Sequence, residues 1–203
     1  LNLTDGAPIS NSEAVSSLVD TGGRFHHRGE LLRRLIAGRI KSRDVREELR
    51  AQIGKLHAAG ISPTHLDSHQ STFMFPTLFR IVVELAAEHQ LPIRLPQEQM
   101  MFHSTQTLFR HLGSPRLWKK VAMWAICEVM RRGLERRGIP TIRRVASTIG
   151  TFENTHNNSI TLDTYQLILR SIGDGISELM THPGYADDRL ASFVWGGWPE
   201  ARR

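Results

Sequence analysis

Amphipathic helical segments alternate with short strand-like segments along this chain of 203 residues. The strand-like segments lie at 64–68, 91–96 and 176–180, and at least one helical segment separates each from the next. Strands that are joined through a helix pair in parallel, with the helices packed outside the sheet. The alternation therefore predicts an α/β fold with a parallel sheet or barrel, in one domain over 1–203.

Cap residues and prolines delimit the predicted helices. Ser42 is placed as the N-cap of a helix that stops at Gly60, and Pro76 begins the next helix. The stretch 97–112 has a looser pattern, and a long basic amphipathic helix is predicted over 114–138. The predicted buried side of that helix consists of Leu117, Val121, Trp124, Ala125 and Val129.

The composition is that of an ordinary globular protein, with 40% apolar and 23% charged residues. It excludes a disordered tail, a fibrous repeat and a disulfide scaffold. The single cysteine, Cys127, has no partner for an internal bridge, so we expect a reducing, cytoplasmic location. The longest apolar run, 121–127, is far shorter than the roughly 20 residues that span a bilayer as a helix.

The net charge of +6 comes from one segment. Nine Arg and Lys and only two acids lie between Arg116 and Arg144. Such a segment is either a solvated helix face or a contact for nucleic acid or an anionic membrane. Because the chain carries no zinc-finger, helix-turn-helix or aromatic RNA-binding signature, we expect no nucleic-acid partner. A peripheral membrane contact and a homodimer stay open.

The sequence His65-Leu66-Asp67-Ser68-His69 holds the strongest candidate chemistry. On a strand, side chains alternate between the two faces, so His65, Asp67 and His69 would share one face. Two imidazoles and a carboxylate are ligands that suit a divalent metal. In the alternative reading, these side chains pair with neighbouring backbone, and at most one of them contacts a metal.

Two further residues lie at the ends of predicted strands. His182 follows the segment 176–180 and precedes Pro183-Gly184, a position suited to proton transfer or to a structural bond with a turn carbonyl. Arg94 would orient a carboxylate or a substrate oxygen, or form a salt bridge.

Taken together, these motifs resemble the YdjC/ChbG-like carbohydrate deacetylases, from residue 1 to about residue 190. The Asp-Ser-His and His-Pro-Gly blocks are specific in combination, and the register around Asp67 resembles the branch associated with hopanoid biosynthesis. The matching pieces are Leu-Asn-Leu-Thr at 1–4 with Gly6 and Pro8, Pro-Thr-His-Leu-Asp-Ser-His-Gln at 63–70, Phe-Pro at 75–76, Arg-Leu-Pro-Gln-Glu at 94–98, and Glu-Leu-Met-Thr-His-Pro-Gly at 178–184.

The resemblance implies a distorted (β/α) barrel, related to the TIM-like deacetylase barrels, that removes N-acetyl groups from an amino sugar or glycolipid. Such an enzyme is a hydrolase of carbon–nitrogen bonds other than peptide bonds. It implies one divalent metal ion, Mg²⁺ or Zn²⁺, with His69 as a metal ligand and His182 as the candidate general acid. His65, Asp67 and Arg94 are supporting site residues.

The chain also departs from the family pattern. An Asn-Ala-Asp-Asp-Phe-Gly-like first strand, which would supply the general base, does not precede Leu1, nor does the expected metal-binding histidine. After His69 the chain reads Gln-Ser-Thr-Phe, without two commonly seen histidines. We therefore expect a truncated deacetylase, with the first strand or strands missing, that binds metal weakly and catalyses poorly. The alternative is a non-catalytic remnant that acts as a binding or interaction protein.

Overall fold

The computed structural model describes residues 1–102, 104–142, 145–147, 151–152, 162–173 and 177–181. The helices are α1 (Arg28–Ile36), α2 (Ser42–Ala58), α3 (Pro76–His89), α4 (Thr105–His111), α5 (Pro115–Glu135) and α6 (Leu162–Ser171), with a 3₁₀ helix at His69–Met74. The strands are β1 (Met101–Phe102), β2 (Val145–Ser147), β3 (Thr151–Phe152) and β4 (Glu178–Met180). Within the described ranges, no helix has the length and apolar character of a membrane span.

The chain divides into two compact units. Unit 1 comprises Leu1–Leu95 and Val129–Thr141, and unit 2 comprises Pro96–Glu128 and Ile142–Arg203. The expectation of a single domain over 1–203 stays a prediction.

Helices α2 and α3 form much of the core of unit 1. Along the apolar stripe of α2, Val45, Leu49 and Ile53 are buried, whereas Leu56 is 38% exposed. On α3, Leu78 and Leu85 are fully buried. Gly60 follows the end of α2 with a φ of +74°, a left-handed conformation that glycine adopts without strain. The helix boundaries were therefore predicted well. Only the cap differs, because Lys41 is the N-cap and no side chain caps that end.

Short parallel contacts join the loops of unit 1. The Leu66 amide donates to the Pro92 carbonyl at 2.8 Å, and the Arg94 amide donates to the Leu66 carbonyl at 2.9 Å. This pattern is a single parallel bridge between Leu66 and Ile93. The strands predicted at 64–68 and 91–96 thus pair in parallel, as expected, but each is reduced to one bridged residue.

Unit 2 also pairs its strands in parallel. Strand β1 pairs with β3, and β2 pairs with β4. The core beside them consists of Met101, Ala146 and Ile168. The mixed α/β class with parallel pairing is confirmed, whereas closure into a barrel stays a prediction.

The prediction for the buried side of α5 was right for Leu117 and wrong for three of its five residues. Trp124 and Val129 are 45% and 72% exposed, and Ala125 is exposed as well. The buried side chains are Leu117, Cys127, Met130 and Leu134. Apolar residues surround this helix on several sides, so periodicity alone does not select the inward face. The loose stretch 97–112 also contains α4, which the sequence pattern did not predict.

Candidate functional site

An open cleft of about 360 Å³ lies on unit 1. It is lined by two carboxylates, one imidazole and two amide side chains, together with apolar surface. The lining residues are Leu1, Asn2, Asp5, Gln52, Asp67 and His69. Two of these, Asp67 and His69, were predicted site residues.

Helix α2 anchors the N-terminal loop that forms one wall of the cleft. Glu48 is fully buried, and its two carboxylate oxygens accept the amide hydrogens of Ile9 and Ser10 at 3.0 and 2.9 Å. Asp44, one turn earlier on the same face, accepts the Ser17 amide at 3.1 Å. These bonds compensate for removing the carboxylates from water, so they fix the loop on the helix.

Gln52 holds the backbone of Asn2 at two points. The Asn2 amide donates to Gln52 Oε1 at 2.9 Å, and Gln52 Nε2 donates to the Asn2 carbonyl and to Glu48 Oε1, both at 2.7 Å. The Asn2 side chain then folds the next residues, because its Oδ1 accepts the amides of Thr4 and Asp5. This chain of contacts sets the position of Asp5.

Asp5 and His69 form the central contact of the cleft. His69 Nε2 lies 2.8 Å from Asp5 Oδ2, and the two residues are 64 positions apart in the sequence. Both side chains reach solvent: 36% of the His69 side chain and 61% of the Asp5 side chain are exposed. A carboxylate beside an imidazole can share a proton, orient the ring or offer two ligands to a cation.

The backbone at His69 is also fixed from the N-terminal loop. The His69 amide donates to the Leu1 carbonyl at 2.9 Å, and the Leu1 nitrogen donates to the Asp67 carbonyl at 2.7 Å. The chain turns sharply after His69, because Gln70 and Ser71 both have positive φ, at 54° and 56°. Non-glycine residues seldom adopt this conformation, so neither residue signals it in the sequence.

Asp67 lines the cleft and is held in place by Arg94. Asp67 Oδ1 accepts Arg94 Nη1 at 3.1 Å and the Ser68 amide at 2.6 Å. Arg94 is 9% exposed, so its charge is close to the protein interior and the pair is partly shielded from solvent. Of the two roles predicted for Arg94, the structure shows the salt bridge.

His65 does not share a face with Asp67 and His69. Its ring Nδ1 lies 3.0 Å from Thr64 Oγ1, the residue is exposed, and it does not line the cleft. The predicted common face is wrong because only Leu66 is bridged, and the 3₁₀ helix begins at His69. His182 lies outside the described residues, so its predicted approach to His69 stays a prediction.

The donor set suits a divalent cation only in part. Among the described residues, no group of three or more His, Cys, Asp and Glu side chains is placed to hold a metal ion. The Asp5–His69 pair supplies one carboxylate and one imidazole, which are ligands that Mg²⁺ and Zn²⁺ respectively accept. The pair fits a metal as two of its ligands.

Sequence reasoning missed the residues that build this site around His69. Asp5, Gln52 and Glu48 carry no local motif, and their contacts join positions 38 to 64 residues apart. The one usable signal was spacing on α2, since Glu48 and Gln52 are four residues apart and share a helix face.

Two deacetylases are similar in sequence to this chain. A carbohydrate deacetylase of Brevibacillus brevis is 29% identical over 191 residues, which cover 94% of this chain and 60% of that protein. A chitooligosaccharide deacetylase of Yersinia enterocolitica is 35% identical over 116 residues, covering 56% of this chain and 42% of the relative. The chain thus spans about three fifths of the length of the Brevibacillus protein.

A solved structure from Enterococcus faecalis, provisionally described as a cellobiose-phosphate cleavage protein, has the same fold. It matches with a TM-score of 0.65 and 22% identity, covering all of this chain and 65% of that one. The family model for YdjC-like proteins matches residues 1–200, nearly the whole chain. The chain therefore belongs to the YdjC-like protein family.

Proposed function

We propose that this protein is a metal-dependent carbohydrate deacetylase that hydrolyses the N-acetyl group of an amino sugar. The observation that most directly supports this proposal is the Asp5–His69 pair, at 2.8 Å, in an open cleft. The named activities of the Brevibacillus and Yersinia relatives support the reaction class. The reaction consumes one water and yields acetate and a free amine on the sugar.

His69 and Asp5 would hold the metal ion, either Mg²⁺ or Zn²⁺. When bound, such an ion lowers the pKa of a coordinated water and polarises an amide carbonyl. Both atoms of the 2.8 Å contact, His69 Nε2 and Asp5 Oδ2, would then face the ion, and the neutral ring would offer it the lone pair on Nε2.

The remaining predicted site residues have three different roles in this proposal. The Arg94 guanidinium fixes the Asp67 carboxylate at the wall of the cleft, where sugar hydroxyls would hydrogen-bond to it. His182 would donate a proton to the leaving amine. His65 contacts Thr64 and contributes less than Asp67, since it does not line the cleft.

Acetate release from N-acetylated chito-oligosaccharides tests the proposal, with the longest chain that the gene encodes and with added Mg²⁺ or Zn²⁺. We expect release that needs metal and that falls at least about tenfold in His69→Asn, because a metal ligand is lost. The matched control is His57→Asn, which changes an exposed histidine of α2 outside the cleft. Equal release from both variants would contradict the role of His69.

A binding protein without catalysis is the second candidate, because the described residues supply two metal donors rather than three. Retained sugar binding without acetate release, with either metal and an intact fold, would favour this candidate. Acetate release would exclude it.

A further inference from the structure

Helices α4 and α5 present large apolar side chains to solvent. Phe109 is 70% exposed, Trp118 is 58% exposed, and Leu112 and Ile126 are 44% and 46% exposed. All four belong to unit 2 and lie within 18 residues of the chain. Exposing several large apolar side chains is unfavourable in water, and large exposed apolar patches often mark binding surfaces.

The same part of the chain carries only positive charge. The sequence has no Asp or Glu between Gln99 and Cys127, and Arg110, Arg116 and Lys119 are exposed there. Lys120, which is half-buried, pairs with Glu98 at 2.8 Å. We call the set Phe109, Arg110, Leu112, Arg116, Trp118, Lys119 and Ile126 the α4–α5 surface.

Trp118 is held in a geometry that suits an apolar environment. Its indole Nε1 donates to the Leu112 carbonyl at 2.8 Å, across the turn between the two helices. Because this donor already has an acceptor, the ring can leave water without stranding a polar group. Trp118, Ala122 and Ile126 are spaced four residues apart, so they follow one side of α5, with Lys119 next to them.

We propose that the α4–α5 surface binds the surface of a lipid bilayer that contains anionic phospholipids. The apolar side chains would enter the boundary between headgroups and acyl chains, and the cations would contact lipid phosphates and carboxylates. This arrangement matches the general pattern of helices that lie on membranes without crossing them.

The chemistry favours this partner over two others. A second copy of the chain would place Arg110, Arg116 and Lys119 against like charges, which opposes association. A nucleic acid would satisfy the cations and stack on Phe109 and Trp118, but it offers little to the aliphatic side chains of Leu112 and Ile126. A bilayer satisfies both components of the surface.

Vesicle flotation tests the proposal with the full chain. We expect binding to vesicles of mixed phosphatidylserine and phosphatidylcholine, and little binding to phosphatidylcholine alone. Salt at about 1 M should release the protein, because the Debye length falls to roughly 3 Å. Lys119→Gln should weaken binding about fivefold, since each surface cation contributes about one such factor. Phe109→Ser should weaken it further.

Matched control variants distinguish binding through the α4–α5 surface from nonspecific adsorption to vesicles. Lys55→Gln and Ile36→Ser change an exposed cation of α2 and an exposed apolar residue of α1, both in unit 1. These variants should float like the wild type. Equal flotation with and without phosphatidylserine, or equal losses in the controls, would overturn the proposal.

Two further measurements test the alternative partners, a second copy of the chain and a nucleic acid. A dimer in light scattering that Phe109→Ser dissociates would show self-association instead. Binding to single-stranded RNA that Lys119→Gln weakens, without binding to anionic vesicles, would show a nucleic-acid surface. Either result would replace the bilayer assignment, and neither depends on deacetylase activity.

Discussion

Helix α2 and the α4–α5 surface use their charged side chains in opposite ways. Helix α2 turns Asp44 and Glu48 inward, where they are 4% and 0% exposed and accept backbone amides of the N-terminal loop. The α4–α5 surface turns apolar side chains outward, and Arg110, Arg116 and Lys119 are exposed in the same stretch of the chain. The buried carboxylates of α2 therefore fix the loop that lines the cleft of unit 1. The exposed apolar side chains of unit 2 instead form the proposed contact with a lipid bilayer.

Thiol labelling tests which side of α5 is buried, and we expect it to give the largest effect. Burial raises the pKa of the Cys127 thiol to about 11, with a smaller contribution from the nearby Glu98 charge. At pH 8 the thiol therefore stays protonated, and we expect iodoacetamide to react about two orders of magnitude more slowly than with an ordinary cysteine. Mass spectrometry of the native and urea-unfolded protein measures the ratio.

The control for labelling is Ala125→Cys in a Cys127→Ser background, because Ala125 is exposed on the same helix. This new thiol should react at the rate of a free peptide cysteine. Fast labelling of Cys127 and slow labelling at position 125 would show that the face predicted from the sequence is the buried one. That result would contradict the α4–α5 surface.

Substitution of Glu48 tests the stabilising role of a buried carboxylate on α2. Glu48→Gln replaces one of two carboxylate acceptors with an amide group that cannot accept a hydrogen bond at that point. We expect a loss of about 2 kcal/mol in the free energy of unfolding, because a buried donor is left unsatisfied. Urea denaturation measures it. Glu47→Gln, at the exposed neighbour, should change stability by less than about 0.5 kcal/mol.

Gln52→Ala should produce a smaller effect that is confined to the cleft. The variant loses both contacts with the Asn2 backbone, so we expect a loss of about 1 kcal/mol and faster hydrogen exchange at the Thr4 and Asp5 amides. Amides of α3 should be unchanged. Uniform acceleration across unit 1 would mean that Gln52 supports the whole core rather than the position of Asp5.

The sequence predicts these two regions unequally, for physical reasons. The boundaries of α2 follow from a single apolar stripe and Gly60, because the other faces of this helix are polar. Helix α5 has apolar residues on several sides, so its inward face depends on tertiary packing. His69 was predicted from its motif, but its partner Asp5 was not, since nothing local in the sequence records a contact across 64 residues.

The strand prediction around His69 failed for a related reason. Alternation at 65, 67 and 69 is typical of a strand, but the backbone leaves the extended conformation at His69 and turns through Gln70 and Ser71. Gln70 and Ser71 rarely adopt positive φ, so local propensity gives no sign of this turn. The motif therefore marks the site, with Asp67 and His69 in the cleft, but misplaces His65.

Cation affinity tests the central claim most directly, since it compares the cleft pair with the strand prediction. Isothermal titration with Zn²⁺ or Mg²⁺ should give an affinity that falls about 10- to 100-fold in His69→Asn and in Asp5→Asn. His65→Asn, from the same motif, should leave the affinity unchanged. A loss in His65→Asn equal to that in His69→Asn, with Asp5→Asn unaffected, would contradict the Asp5–His69 site.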